Sequence, residues 1–350
     1  MADMLRWGVL GTANIALRKV IPAIQGSANG RVVAIASRDG AKARDAATRL
    51  EIARAHDSYE ALLADPEVDA VYNPLPNSLH AEWTEKAAAG KAVLCEKPLA
   101  RDVAEAERMA RLCAEHGVPL MEAFMYRFHP QTVRVRELIA SGAIGAVGQV
   151  RAGFGFRMHP LNPANVRLQR DLAGGALMDV GCYAINASRM LFADEPLRAV
   201  ASRDFDESFG VDVALSGVLE YPGARFATVD CSFKAGYSGW YMAVGPEGTI
   251  EVPRAFTPQN DPTVIVITDN QNRRHEERFE GADHYRLMAE AFAAAVLTGA
   301  PRALPAGGRR LQHARRRHVG PRGQRVNRRQ EAGGRWIEPQ PQRRLERRPP

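Results

Sequence analysis

Short apolar runs alternate with amphipathic stretches from residue 5 to about residue 123 of the chain. The runs 31–37 and 68–72 are rich in β-branched residues, which favours buried strands. Strands separated by helices of about 10–15 residues are typical of a parallel sheet, whose ligands bind at the carboxyl ends of the strands. We predict strands at 5–10, 31–37, 68–72, 92–95 and 119–122, with helices at 15–24, 41–50, 78–89 and 103–116.

After Pro130 the pattern changes, because several strand-like runs follow one another with only turns between them. An irregular segment at 157–171 interrupts the regular elements before these runs begin. Closely spaced strands without intervening helices predict a mainly antiparallel sheet in a second domain. We predict helices at 131–140, 181–192 and 285–297, and strands at 147–156, 211–221, 224–233, 238–244, 248–252 and 263–268.

The chain has 350 residues, 45% of them hydrophobic and 25% charged, which is typical of a globular protein with two domains. Its net charge of +7 is unevenly distributed, since residues 307–350 carry a net charge of +11 and residues 1–306 a net charge of −4. A nucleic-acid-binding protein is expected to carry a basic patch on its folded body. The acidic body therefore argues against nucleic acid as a partner.

Targeting signals and metal motifs are missing from the sequence. No apolar run reaches the roughly 18 residues that a membrane-spanning helix needs. The first residues show no basic segment followed by a cleavage site, so we expect a cytoplasmic protein. The four cysteines have no CxxC spacing, which predicts reduced thiols and neither a disulfide framework nor a metal site.

Small residues lie where the first predicted strand meets the first helix. Gly8, Gly11, Ala13 and Ala16 occupy a turn at which a dinucleotide pyrophosphate can approach the amides of a helix N-terminus. The strict GxGxxG pattern is broken by the two alanines, and such turns also occur in α/β proteins that bind no dinucleotide. Its position at the first strand-to-helix turn favours binding.

Two polar residues end the second predicted strand. Ser37 and Arg38 can accommodate the 2′-phosphate of NADP, whereas an acid at this point would bind the free ribose of NAD. Asp39 comes two positions after the end of the strand. We predict NADP as cofactor, with NAD as a possible substitute; the alternative is that Arg38 is a solvated loop residue.

The loops after the next two strands carry further candidates. Asn77 or Ser78 is placed to cap the following helix, and His80 at its start has either a catalytic or, more in keeping with its position, a structural role. Glu96 and Lys97 follow the strand at 92–95, where a lysine can relay a proton or orient a substrate. The alternative is a solvated lysine.

Asp179 and Tyr183 are four residues apart, so on a helix they share one face. A tyrosine and a carboxylate beside Lys97 form an acid/base set for interconverting a hydroxyl and a carbonyl, because a neighbouring ammonium favours the phenolate. The alternative is that Asp179 caps the helix and Tyr183 packs between the domains.

In the order in which they occur, these motifs resemble those of the glucose–fructose oxidoreductase / inositol dehydrogenase (Gfo/Idh/MocA) family. The resemblance runs from about residue 5 to residue 305, and the combination of the last motifs is its specific part. The motifs are the Gly8–Ala16 turn, Pro76-Asn77-x-x-His80, Glu96-Lys97-Pro98, Tyr126-Arg127-x-x-Pro130 and Gly174-Gly175-x-x-x-Asp179-x-Gly181-x-Tyr183.

The resemblance implies an α/β fold, with an N-terminal Rossmann dinucleotide-binding domain at 1–124 and a C-terminal α+β domain with a large, mainly antiparallel sheet at 125–306. It implies an NAD(P)-dependent oxidoreductase acting on a sugar, a polyol or a related diol, with dihydrodiol dehydrogenation as a variant. It also implies a homodimer or homotetramer, because relatives associate through the sheet of the second domain. A catalytically silent dinucleotide-binding regulator of the same fold is the alternative.

Site residues are implied by the same resemblance. Tyr183 would be the general acid/base, Lys97 would contact the nicotinamide ribose and the substrate hydroxyl, and Asp179 would orient the substrate. Tyr126, Arg127, Arg167 and Asp179 would line the substrate site. The cofactor would contact Gly11, Thr12, Ala13, Asn14, Ile15, Ser37, Arg38, Pro74, Leu75, Asn77, His80, Glu96 and Lys97.

Residues 307–350 depart from the family pattern. They contain 14 arginines and five prolines without sustained periodicity, so we expect a disordered tail. When this segment is back-translated with suitably chosen codons and shifted by one nucleotide, it yields a family-like sequence. We interpret the tail as a frameshift product and not as a nucleic-acid-binding arm; an unbroken reading frame on resequencing would contradict this.

Overall fold

Parallel strands and helices alternate in the first part of the computed structural model, which describes residues 4–299. Within that range the first sheet has six parallel strands in the order β3-β2-β1-β4-β5-β6. The strands are β1 (Leu5–Leu10), β2 (Gly30–Ala36), β3 (Arg54–His56), β4 (Ala70–Asn73), β5 (Ala92–Cys95) and β6 (Leu120–Glu122). The helices are α1 (Ile21–Gln25), α2 (Gly40–Arg49), α3 (Tyr59–Ala64), α4 (His80–Ala87) and α5 (Val103–Glu115).

The apolar runs form strands because both faces of this sheet are covered by helices. Trp7, Ile35 and Leu94 have no exposed surface. Apolar residues on both faces stabilise a central parallel strand. The Rossmann prediction is therefore confirmed.

The second sheet has eight strands among the described residues, in the order β14-β13-β12-β11-β7-β10-β9-β8. Strands β7 and β10 run parallel to each other, and the other neighbours are antiparallel. This confirms the prediction of a mainly antiparallel second sheet. The strands are β7 (Gln149–Gly155), β8 (Arg198–Asp206), β9 (Val211–Tyr221), β10 (Arg225–Ser232), β11 (Ser238–Gly245), β12 (Gly248–Val252), β13 (Thr263–Asp269) and β14 (Arg274–Phe279).

Three helices accompany the second sheet: α6 (Pro130–Ala140), α7 (Cys182–Phe192) and α8 (His284–Thr298). Helix α7 packs on the inner face, where Val150, Ala152 and Phe154 of β7 are buried. Helix α8 returns to the first sheet, where the ring of Phe292 lies tilted against that of Trp7 at 5.1 Å between centroids. Helix α8 therefore packs on the first sheet and on α1, although it follows the second sheet in the sequence.

Two short helical segments differ from the sequence prediction. The helix predicted at 15–24 begins as a π-helical turn, Ala16–Val20, before α1. A second π-helical turn, Leu177–Gly181, precedes α7 directly. We call Leu177–Gly181 the π segment; it carries Asp179.

Within residues 4–299, no helix is long and apolar enough to cross a membrane. The predicted tail at 307–350 lies outside the described residues. The domain boundaries predicted at 124 and 306 stay predictions.

Candidate active site

The turn after β1 is open and lined by small residues. Gly11 has φ +89°, and a Cβ atom there would lie 3.0 Å from Leu75 Cδ2. A glycine therefore lets the chain turn directly against the loop that follows β4. Thr12, Ala13 and Ile15 are partly exposed and Asn14 is exposed, so this turn can receive a pyrophosphate group.

Arg38 and Asp39, the two charged residues after β2, differ in whether their side chains have a partner. Asp39 caps α2, since its Oδ1 accepts hydrogen bonds from the backbone N–H groups of Ala41 and Lys42. Arg38 is exposed and forms no ion pair within the described part of the chain. Ser37 is buried next to it. The acid is thus engaged in capping, and the arginine is free to meet a phosphate.

The loop after β4 corrects the prediction that Asn77 or Ser78 caps the next helix, and it gives His80 the structural place that its position in the sequence favours. Neither Asn77 nor Ser78 caps the next helix, because Asn77 Nδ2 donates to the carbonyl of Ala173 (2.9 Å) and α4 begins without a side-chain cap. His80 has no exposed surface, and its two ring nitrogens each lie 2.8 Å from a carbonyl oxygen, of Pro98 and Leu75. His80 therefore joins the loops after β4 and β5 and has no surface for direct cofactor contact; Pro74 and Leu75 are also buried.

Lys97 reaches from the end of β5 to the π segment. Its Nζ donates hydrogen bonds to the backbone oxygen of Asp179 (2.7 Å) and to Asp179 Oδ1 (3.1 Å). Glu96 accepts a hydrogen bond from Tyr72 Oη at 2.6 Å and from the Lys97 N–H at 3.3 Å. Burial raises the pKa of the Glu96 carboxyl. Glu96 thus fixes the backbone from which Lys97 extends.

Asp179 bridges two cations. Arg167 Nε donates to Asp179 Oδ2 at 2.6 Å, on the side opposite the Lys97 contact. Burial disfavours the charge of Asp179, but Lys97 and Arg167 outweigh it and hold the pKa of this carboxyl below its usual value. Burial likewise opposes the charge of Lys97, while Asp179 raises the pKa of that ammonium above its usual value. Lys97 and Asp179 are therefore both charged at neutral pH.

Tyr183 is buried at the start of α7, and the structure corrects the expected effect of Lys97 on it. Lys97 Nζ lies 5.1 Å from the ring centroid, over the face of the ring, and its charge is already paired with Asp179. Burial raises the pKa of Tyr183 well above its usual value. The hydroxyl donates to Met125 Sδ at 3.5 Å. The expected shift toward phenolate is therefore wrong for this state of the chain.

Tyr126 and Arg127 are not exposed to the site. Tyr126 has no exposed surface and donates from its hydroxyl to Asn186 Oδ1 at 2.6 Å, while its ring lies 5.9 Å from that of Tyr183. Arg127 is 8% exposed, and burial lowers the pKa of its guanidinium. In this structure Tyr126 packs against Tyr183 and presents no surface to a substrate, and the predicted place of Tyr126 and Arg127 in the substrate site stays a prediction.

Sequence reasoning missed Tyr72 and Met125, the hydrogen-bond partners of Glu96 and Tyr183. The parallel register pairs Tyr72 with Leu94, so the ends of β4 and β5 lie side by side. The adjacency of the two strand ends was therefore accessible from the strand order.

Among residues 4–299 no group of three or more His, Cys, Asp or Glu side chains is arranged to hold a metal ion.

Comparison with family models finds two matches along the chain. Residues 5–124 match the oxidoreductase family with an NAD-binding Rossmann fold. Residues 132–251 match the GFO/IDH/MocA C-terminal domain.

Individual relatives match over most of their length. The chain is 46% identical to the D-xylose 1-dehydrogenase (NADP(+)) 2 of Haloferax volcanii, covering 84% of this chain and 90% of the relative. It is 33% identical to the trans-1,2-dihydrobenzene-1,2-diol dehydrogenase of Xenopus laevis, covering 77% and 80%. The crystal structure of a 3-ketoreductase from Actinomadura kijaniata, in complex with NADP and TDP-benzene, superposes with a TM-score of 0.80 at 35% identity, covering 87% and 93%. The chain belongs to the GFO/IDH/MocA family of oxidoreductases.

Proposed function

We propose that this chain is an NADP(H)-dependent oxidoreductase that interconverts a hydroxyl and a carbonyl group on a sugar, a polyol or a related diol. The observation that carries the proposal is the cluster of Lys97, Asp179 and Tyr183 at the carboxyl edge of the parallel sheet. When bound, NADP supplies or accepts the hydride. The chain's own residues bind the sugar, exclude water and move one proton.

Tyr183 is the proton donor and acceptor in this proposal. Because burial keeps its phenol protonated at neutral pH, the hydroxyl can donate a proton to a carbonyl oxygen during reduction. The thioether of Met125 is a weak acceptor, so a substrate oxygen can replace it as the partner of this hydroxyl. In the oxidative direction the same phenolic oxygen, after losing its proton, takes the proton of the substrate hydroxyl.

Lys97 and Asp179 orient the substrate around Tyr183. Lys97 Nζ donates two of its three N–H groups to Asp179, which leaves the third for a substrate oxygen. The carboxylate of Asp179 accepts hydrogen bonds from hydroxyl groups, as does any ionised acid with spare lone pairs. Arg167 is 42% exposed at its side chain and presents further donors at the mouth of the site. Charged donors and acceptors of this kind suit a polyhydroxylated substrate.

The arrangement at the end of β2 supports NADP over NAD. Arg38 is exposed and unpaired among the described residues, and Asp39 is committed to capping α2. A guanidinium at this point favours a 2′-phosphate, whereas a free acid would favour a ribose hydroxyl. The relative from Haloferax volcanii is NADP-dependent by name, which agrees with this choice.

We also propose that the protein is a homodimer or homotetramer that associates through the outer face of the second sheet. Val200, Val218 and Phe226 are 53%, 39% and 43% exposed. Val200 and Val218 are register partners on neighbouring strands, and Phe226 lies on the adjacent strand β10. This strip of exposed apolar side chains, which borders the Arg198–Glu220 ion pair on the same face, is suited to pairing with a second copy of the chain.

A panel of substrates tests the proposed activity. The full chain would be incubated with NADP, and in parallel with NAD, together with D-xylose, other aldoses, keto-sugars and a dihydrodiol, while the absorbance of the reduced nicotinamide is followed. We expect turnover with NADP and at least one sugar. Binding of NADP without turnover of any compound would instead support the catalytically silent regulator, and absence of NADP binding would contradict the proposal altogether.

A further inference from the structure

A β-bulge at the start of β9 turns one carboxylate toward the π segment. In the β8–β9 ladder Asp204 pairs with Ala214 but Phe205 pairs with Asp212, so Val213 has no partner on β8. One extra residue of this kind re-aims the side chain beside it. The side chain of Asp212 then reaches the segment that precedes α7.

Asp212 makes two contacts there, one with each of its oxygens. Its Oδ2 accepts a hydrogen bond of 2.7 Å from the backbone N–H of Leu177, the first residue of the π segment. N–H groups in the first turn of a helix have no partner within the helix. Its Oδ1 lies against Gly175, where a Cβ atom would come within 2.4 Å of it, and Gly175 has φ +111°. Glycine at 175 therefore makes room for this carboxylate.

The backbone of Gly175 is hydrogen-bonded to both Arg167 and Asp179, whose side chains pair in the site. Its N–H donates to the backbone oxygen of Arg167 at 2.8 Å, and its carbonyl accepts from the Asp179 N–H at 3.0 Å. The side chains of Arg167 and Asp179 are themselves joined at 2.6 Å. Whatever holds Gly175 and Leu177 in place therefore sets the distance between these two side chains.

We propose that Asp212 is a positioning residue of the active site, which holds Leu177 and Gly175 so that the Asp179 carboxylate meets Lys97 and Arg167 together. Within the described range no ion pair engages Asp212, so its contacts with the π segment and Gly175 are its main role in the fold. It is not a catalytic residue, because it reaches the site only through the backbone of its neighbours. The inference rests on the proposed function for its kinetic consequences but not for its structural ones.

Three variants test this role, each measured for kcat and KM of the sugar, for the Kd of NADP and for hydrogen exchange at the Leu177 amide. Asp212→Ala removes the acceptor. Asp212→Asn keeps an oxygen that can accept the same N–H. Asp206→Ala is the matched control, since Asp206 lies in the same β-hairpin and its carboxylate accepts hydrogen bonds from Ser208 within the turn.

We expect Asp212→Ala to lower kcat/KM for the sugar by about tenfold to a hundredfold, because small misplacements of catalytic groups cost rates of this order. The Kd of NADP should stay within about twofold, and exchange at Leu177 should accelerate. Asp212→Asn should restore most of the activity and the slow exchange, and Asp206→Ala should behave as the wild type. If Asp212→Ala does not fold, Asp212→Ser, whose hydroxyl is too short to reach Leu177, takes its place.

An Asp212→Ala enzyme with unchanged kcat/KM and unchanged exchange would overturn the inference. So would an Asp212→Asn enzyme as impaired as the alanine variant, since the charge rather than the acceptor would then matter. If the wild type has no sugar activity, the proposed function fails but the exchange at Leu177 still decides the role of Asp212.

Discussion

The ring of Tyr183 packs edge to face with those of Phe124 and Phe154, each at 5.2 Å between centroids. Its hydroxyl donates a hydrogen bond to Met125, and the Lys97 ammonium lies over its ring. These surroundings are apolar apart from the ammonium, which is paired with Asp179. Burial of a phenol without a partner for its negative charge keeps it protonated. The Tyr183 phenol is therefore ready to donate a proton, and it must lose that proton before it can accept one.

This protonation state predicts different pH dependences for the two directions. The pKa of Tyr183 is raised well above its usual value, so the proton-bearing form persists through neutral pH and is lost only as the pH rises toward that pKa. We expect reduction to be insensitive to pH around neutrality and oxidation to accelerate with rising pH. Profiles of kcat/KM in both directions would measure this, and an oxidation rate that is flat into the alkaline range would contradict it.

We propose that Arg38 determines the choice between NADP and NAD. Arg38→Ala should raise KM for NADP by about tenfold or more and leave KM for NAD nearly unchanged, because the lost contact is with the 2′-phosphate alone. Arg31→Ala is the matched control, since Arg31 is an exposed arginine at the other end of the same strand. Equal losses with both cofactors would refute the assignment of Arg38.

At the scale of elements, the loop that carries Arg167 packs backbone to backbone on the entrance to the π segment. A Cβ atom at Gly174 would lie 2.5 Å from the carbonyl oxygen of Arg167 and 2.9 Å from that of Val166. Backbone atoms cannot rotate away as a flexible side chain can. The glycine pair of the sequence motif therefore allows this close approach, which the motif itself did not explain.

Gly174→Ala should push this loop outward and separate Arg167 from Asp179. We expect kcat/KM for the sugar to fall by about tenfold or more while the Kd of NADP is unchanged. Gly236→Ala is the control, because a Cβ atom there meets no atom within 4 Å. A Gly174→Ala enzyme with wild-type kinetics would show that the Arg167–Asp179 contact does not orient the substrate.

The sequence predicted central elements better than edges, for a physical reason. Strands buried on both faces, such as β1 and β5, are apolar apart from Arg6 of β1 and were predicted at their observed bounds. Strands β3, β8 and β14 and the short helix α3 were missed. The strands are edges with polar or charged sequences, because an edge strand has one neighbour and faces solvent.

The site was predictable as a set of strand ends but not as a set of contacts. Lys97, Asp179 and Tyr183 were selected from motifs, and the structure brings Lys97 to both of the others. The direction of the Tyr183 pKa depended on burial and on where the ammonium lies, which spacing does not encode. The role of Asp212 depended on a bulge that alternation along β9 does not reveal.

At the scale of the whole molecule, the exposed apolar strip on the second sheet predicts assembly. Sedimentation should find the wild type as a homodimer or homotetramer. Val218→Asp should shift it to a smaller species, because a charge at the centre of an apolar interface is costly to bury. Val103→Asp, on an exposed valine of α5, is the control. A monomeric wild type, or a Val218→Asp protein of unchanged size, would contradict the proposed interface.

We propose that Tyr183 moves the proton in an NADP-dependent reaction on a sugar. This role is tested most directly by the turnover of Tyr183→Phe on a sugar that the wild type oxidises or reduces, with NADP binding measured alongside. We expect kcat to fall by about a hundredfold to ten-thousandfold while the Kd of NADP is unchanged, because only the hydroxyl is lost. Wild-type turnover by Tyr183→Phe would contradict the claim.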